Sequence, residues 1–211
     1  MPRPFILPKD IPMDRYPKPE VFLTEGRRIV DSARDAGLAM RVMGPLALHY
    51  YFPEHVDLYA RLERLGERYF TDIDFMADGK SGGKMKGLME KLGYECDVNT
   101  LMTTGKTRQI YYGGAVPMID VFLDKLDYCH EVDFKNRLGF DDYSISLTDI
   151  ALQKLQIWEI NDKDLKDFEF LMTVADMSQM EVEAQVDESD VKDIRVGQPA
   201  EIEVDAIIGT I

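Results

Sequence analysis

At 211 residues with 45% apolar side chains, the chain is long enough to bury a full core and too apolar for disorder, so one ordinary domain with an appendage is expected. A net charge of −14 argues against broad, non-specific attraction to nucleic acid, and no apolar run reaches the length of a membrane span. Two cysteines, Cys96 and Cys129, are too few for a disulfide framework, and the N-terminus lacks a signal-peptide core, so the expected compartment is the cytoplasm. Cys129 and His130 with Cys96, His49 or His55 could offer zinc donors, but the ligand spacing of a zinc site is missing.

Residues 1–20 hold six of the ten prolines and no periodicity, which reads as an extended arm. Thr24 can cap a helix over about 25–36, with Ile29, Val30, Ala33 and Ala36 on one face and Gly37 at its end. A first strand at about 39–43 is followed by Gly44 and a helix from Pro45 to about Tyr51, proline being tolerated in a first turn. Ser81 can cap a helix that closes at Gly93, with Met85, Leu88, Met89 and Leu92 as its buried stripe. Residues 94–97 and 108–112 read as short strands around a polar turn at 103–106, leading as a meander into a strand at 117–123. The stretch 122–134 continues extended. From Ser146 the pattern is helical: Leu147, Ile150, Ala151, Leu155 and Trp158 suit one helix, and Asn161 caps another carrying Leu165, Phe168 and Leu171.

Three stretches carry chemistry. In Tyr69-Phe70-Thr71-Asp72-Ile73-Asp74-Phe75-Met76, strand alternation puts Asp72 and Asp74 on one face and Ile73 and Phe75 on the other. Two carboxylates at fixed spacing suit Mg²⁺, which prefers oxygen ligands and takes one or two protein carboxylates beside substrate phosphates. The alternative is an edge strand whose solvent face is acidic. Upstream, the glycine of Met40-Arg41-Val42-Met43-Gly44-Pro45-Leu46 stands at a strand-to-helix junction, where backbone N–H groups can approach a phosphate. Downstream, Pro117-Met118-Ile119-Asp120-Val121-Phe122-Leu123 carries one acid in an apolar strand. An unpaired carboxylate is expensive there, so Asp120 should face a cavity or a cation. Lys80, Lys84, Lys86, Lys91, Lys106 and Arg108 make the segment from Gly79 to Arg108 locally basic, either as a rim for a phosphate-bearing substrate or as a solvated helix face.

Strand-glycine-helix, Asp-x-Asp, then a lone strand aspartate is the order in which the nucleotidyltransferase superfamily that includes DNA polymerase β presents its site. Residues of about 24–173 resemble its nucleotidyltransferase-like branch, which includes toxin subunits of abortive-infection toxin–antitoxin systems. The carrying motifs are Arg41-Val42-Met43-Gly44, Thr71-Asp72-Ile73-Asp74-Phe75, Ile119-Asp120-Val121-Phe122-Leu123-Asp124, and Leu152-Gln153-Lys154-Leu155-Gln156-Ile157 followed by Asn161 to Asp167. The resemblance implies an α+β nucleotidyltransferase fold, a mixed β-sheet flanked by helices, with a C-terminal helical pair. It implies that Asp72, Asp74 and Asp120 are catalytic and bind Mg²⁺ or Mn²⁺. Gly44 would contact the nucleoside triphosphate, and Arg68, Lys154, Lys163 and Asp164 would lie toward the nucleotide. The implied partners are a nucleoside triphosphate, an RNA or protein acceptor and an antitoxin. One departure stands out: where the family usually has a second glycine or a serine, this chain has Pro45, which supplies no backbone N–H.

The expected organisation is therefore a proline-rich arm at 1–23, a nucleotidyltransferase-like domain at 24–175, and an acidic β-rich tail at 176–211 holding ten acids against two bases. Residues 180–206 resemble part of the β-barrel domain of periplasmic adaptor (membrane fusion) proteins. Some thirty residues are too few to close a barrel. Unpaired edges would add to the main sheet or pair with a second copy as a homo-oligomer. Two further readings stay open at this stage: a catalytically degenerate module that binds a nucleotide or a protein, and an adaptor-like interaction protein working through the tail.

Overall fold

A computed structural model describes residues 5–63, 65–66, 68–128, 131–155 and 162–174. The chain divides into two units, Met1–Val174 and Ala175–Ile211, the second lying wholly outside the described residues. The expected tail strands, the zinc-donor pair Cys129 and His130, and the helix positions Trp158 and Asn161 fall outside them too.

The first helix, α1, spans Pro19–Asp35 and begins six residues before the expected start at 25. Pro19 sits at the first helical position, where its missing N–H costs nothing, so the proline-rich stretch runs directly into the helix. Phe22, Ile29, Val30 and Ala33 form the buried stripe. Gly37 ends the helix at φ +69°, and the Leu38 amide bonds back to the Ala33 carbonyl at 2.8 Å.

Then follow β1 (Met40–Met43), α2 (Gly44–Tyr51), α3 (Val56–Arg61), β2 (Ile73–Ala77), α4 (Gly82–Lys91), β3 (Glu95–Cys96), α5 (Val98–Thr104), β4 (Arg108–Tyr112) and β5 (Met118–Leu123). The five strands form one mixed sheet in the order β1-β2-β5-β4-β3. β2 and β5 pair in parallel at its centre, and the other neighbours are antiparallel. Ile73, Phe75, Ala77, Ile119, Val121 and Leu123, the alternate residues of the central strands, are all buried in the core. Residues 143–145 cover the outer edge of β1: the Val42 amide donates to the Tyr143 carbonyl and the Ile145 amide to the Val42 carbonyl, at 2.8 and 3.0 Å. That disposes of an edge which would otherwise offer unpaired backbone groups.

The fold is α+β, a mixed sheet flanked by helices, as expected. Helix α5 fills the connection between β3 and β4 ahead of the turn, which lies at 105–107 where a turn at 103–106 was expected. Asp97 caps it, its carboxylate accepting from the amides of Asn99 and Thr100. The stretch expected to stay extended after β5 instead breaks at Asp124, φ +65°, and folds into a two-stranded hairpin of β6 (Lys125–Asp127) and β7 (Glu131–Asp133).

The C-terminal helical pair is α6 (Leu147–Leu155) and α7 (Asp162–Val174). The face of α7 differs in part from expectation: Leu171 is buried as expected, but Leu165 is 52% exposed, and Asp164, Asp167 and Phe170 are buried. The rotation follows from Lys154 on α6, which requires carboxylates opposite it.

The arm docks on the body. Phe5 stacks on Tyr112 with ring centroids 4.4 Å apart, and the Tyr16 hydroxyl donates to the Phe70 carbonyl at 3.0 Å. No helix among the described residues is long and apolar enough to cross a membrane.

Candidate functional site

The start of β2 and the middle of β5 position the acidic residues. In the parallel pairing Asp74 stands opposite Asp120, so the two carboxylates share a sheet face. Asp72 precedes the first residue of β2, is half-buried, and accepts from the Thr71 hydroxyl at 2.9 Å. Asp74 is half-buried as well.

Gly44 closes this site from the β1 side. Its φ of +66° is readily available only to glycine, and a methyl group there would lie 2.9 Å from Asp74 Oδ2. The backbone entering α2 thus runs against the Asp74 carboxylate. Pro45, the next residue, occupies the first turn of α2, and its carbonyl pairs with His49 Nδ1 at 2.8 Å.

Asp120 is 3% exposed and faces a cation, the protein's own. Arg108 Nε lies 2.9 Å from Oδ1 and 3.0 Å from Oδ2, and Nη2 also donates to Oδ2. Arg108 is diagonal to Asp120 across the β4–β5 ladder, in which Ile110 stands opposite Asp120 and Arg108 opposite Phe122. Its guanidinium packs over the Phe122 ring at 5.2 Å. Burial pushes the Asp120 carboxyl above the ordinary carboxylate range; Arg108 pulls it down without cancelling the effect, and the charge of Asp72 adds to the rise. Tyr128, exposed just beyond β6, feels the charges of Arg108, Asp74, Asp120 and Asp164.

Three of the expected nucleotide-side residues are engaged in holding the fold. Arg68 Nη2 donates to the carbonyls of Lys9 and Ile11, both at 3.1 Å, and its guanidinium lies over the Tyr16 ring. It clamps the arm beside the acidic strand. Burial pushes the Tyr16 hydroxyl up to about 12, Arg68 opposing and Asp72 adding to the shift. Lys154 is buried between Asp164 and Asp167, at 3.1 and 2.6 Å, and Tyr59 donates to the other oxygen of Asp167. Lys163 is exposed in the first turn of α7.

The basic segment is divided rather than gathered into one rim. Arg108 turns to Asp120, and Lys86 pairs with Glu90 on the surface of α4. Lys106 lines a cavity of about 840 Å³ with Gly79, Gly82, Thr103, Gln109 and Asp124, at the end of β2 and β5 away from Asp72. Arg108 is the site residue whose partner the sequence reading missed. The signal available was a charged residue on a strand flanking a strand with a buried acid.

Among the described residues no group of three or more His, Cys, Asp or Glu side chains is gathered to hold a metal ion. The donor set nonetheless fits Mg²⁺ or Mn²⁺ in kind: Asp72, Asp74 and Asp120 offer hard oxygens only, two of the three residues being half-exposed. The third carboxylate is occupied on both oxygens by Arg108.

No family model matches the sequence, and no curated protein matches it. Among solved structures, the chain is similar to the antibiotic-resistance factor ANT(2'')-Ia, over 73% of this chain and 83% of that one, at 16% identity and a TM-score of 0.45.

Proposed function

We propose that this protein is a divalent-metal-dependent nucleotidyltransferase, moving a nucleoside monophosphate from a nucleoside triphosphate to a hydroxyl acceptor. The observation that carries the reading is the placement of Asp74 opposite Asp120 on adjacent parallel strands, with the Gly44 backbone against Asp74. Asp72, Asp74 and Asp120 would hold Mg²⁺ or Mn²⁺, which supplies charge neutralisation on the phosphates and on the attacking oxygen. Gly44 leaves room for the triphosphate to reach the start of α2. In the transfer the acceptor oxygen bonds to the α-phosphorus, the bond from that phosphorus to the bridging oxygen breaks, and pyrophosphate leaves. The hydroxyl proton passes to a carboxylate, for which Asp120 is the candidate: it shares a sheet face with Asp74, and burial raises its pKa, which makes it a stronger proton acceptor. A toxin role, an RNA or protein acceptor and an antitoxin partner belong to the same proposal and rest on the sequence resemblance.

The second reading is a module of this architecture that binds a nucleotide without turning it over. Pro45, which lacks an N–H for a phosphate, and the occupied Asp120 favour it.

The deciding experiment incubates the protein with each α-labelled nucleoside triphosphate, Mg²⁺ and a cell extract, beside Asp72→Asn and Asp74→Asn proteins. Pyrophosphate release that both substitutions abolish is the expected result. Metal-dependent nucleotide binding without release would select the second reading, and turnover surviving either asparagine would remove the metal assignment.

A further inference from the structure

Resting on the nucleotidyltransferase reading, we propose that Arg108 is a positioning residue that exchanges partners: it neutralises Asp120 in the ligand-free protein and turns to the triphosphate once a divalent cation takes the Asp120 oxygens.

The geometry supplies both states. Asp120 is almost completely buried, and a carboxylate so placed needs a cation on it at all times. Arg108 provides one in the bidentate manner that suits a carboxylate, with Nε and Nη2 both engaged. The same planar fork suits the oxygens of a phosphate, so releasing Asp120 leaves a group ready for the ligand. Arg108 can make that turn because its side chain is 45% exposed while that of Asp120 is 4% exposed. Its guanidinium rests on the Phe122 ring, a flat surface that keeps it over the sheet face carrying Asp74 and Asp120 without tying it to one acceptor. Asp74 lies within the same field, its charge acting on Arg108.

The arrangement predicts opposite effects of one substitution on two ligands. Without the guanidinium, Asp120 has no internal cation and competes freely for a metal. The triphosphate, by contrast, loses a charge-assisted partner. Arg108→Gln should therefore bind Mn²⁺ in the absence of nucleotide about tenfold more tightly than the parent, read by electron paramagnetic resonance of free Mn²⁺. The same protein should bind the preferred one of the four α,β-imido nucleoside triphosphates, with Mn²⁺ present, about tenfold or more weakly. Arg108→Lys, which keeps the charge and loses the fork, should fall between the two and guards against a folding defect, as does the near-ultraviolet circular dichroism of both variants.

Mn²⁺ affinity that stays equal or weakens in a folded Arg108→Gln protein overturns the exchange, and so does unchanged nucleotide affinity. If the parent binds neither Mn²⁺ nor nucleotide, the proposal falls together with the nucleotidyltransferase reading. Mn²⁺ binding that disappears in Asp74→Asn yet ignores Arg108→Gln removes only the role of Arg108.

Discussion

Lys154 Nζ lies 2.6 Å from Asp167 Oδ2 inside the interface of α6 and α7, and the Lys154 and Asp167 side chains are 6% and 0% exposed. Asp164 is the second partner of the lysine, and Tyr59 donates to Asp167 from outside the helical pair. The cluster ties three helices together by charge. It also explains why α7 turns two acids inward.

Lys154→Met removes the cation that Asp164 and Asp167 share inside the helical pair. Lys154→Met should cost about 3–5 kcal/mol, as expected for breaking a buried ion pair from one side. In a domain of this size that corresponds to a fall of roughly 10 °C in Tm by circular dichroism. A Tm within a degree or two of the parent, together with weakened nucleotide binding, would instead place Lys154 at the ligand.

Gly44→Ala tests the contact between the first glycine and the metal-side carboxylate. The new methyl group meets Asp74 Oδ2 at 2.9 Å in a backbone conformation that alanine resists, so strain of about 1–3 kcal/mol is expected. Because the group that must yield is Asp74, Mn²⁺ affinity should drop by about tenfold or more. Both are measurable on one sample, by thermal melting and metal titration. Full metal affinity in a folded Gly44→Ala protein would separate this glycine from the carboxylates.

Pro45→Gly restores the N–H that the family motif normally provides. The unfolded chain gains freedom, so stability should fall by about 0.4–1 kcal/mol. If the triphosphate approaches the start of α2, the new donor should tighten α,β-imido nucleotide binding severalfold, about 1 kcal/mol for one added hydrogen bond. Equal affinity in titration calorimetry would mean that the phosphates lie elsewhere.

Glu25 gives the fold a pH dependence remote from the site. The residue is buried on α1 and accepts from Arg28 Nε and Nη2 at 2.7 and 2.6 Å and from the Tyr94 hydroxyl at 2.7 Å. Burial acts to raise its pKa, but the bonds from Arg28 and Tyr94 outweigh burial and hold it below the ordinary 4.5. A depressed carboxyl stabilises the fold fully above its unfolded pKa, and this contribution is lost as pH falls through the folded value. Glu25→Gln should therefore melt lower than the parent at pH 7, by about 1–3 kcal/mol for lost charged hydrogen bonds. The gap should narrow as pH falls below the ordinary glutamate range and close below the depressed folded pKa, where the parent glutamate is itself protonated. A gap independent of pH would mean that packing rather than charge is lost.

Much of the site's frame was legible in the chain because it is local. The glycine at the β1–α2 junction, the two-residue spacing of Asp72 and Asp74, and the apolar alternation around Asp120 each declare themselves within a few residues, and the β1, β4 and β5 boundaries follow the same periodicity. That Asp120 would face a cavity or a cation also followed from its place in an apolar strand. What tertiary structure decided was which groups meet. Arg108 reaches Asp120 only because β4 pairs antiparallel with β5 in one register, and a slip of one residue would turn it to the opposite face. Lys154 closes on Asp164 and Asp167 through the relative rotation of two helices, which leaves Leu165, expected inside, exposed while Leu171 stays buried. Arg68 is spent on the arm because residues more than fifty positions away dock on it. Periodicity within a segment reports which side of it is apolar; the partner of a charged group is set by register and packing between segments, which no single segment encodes.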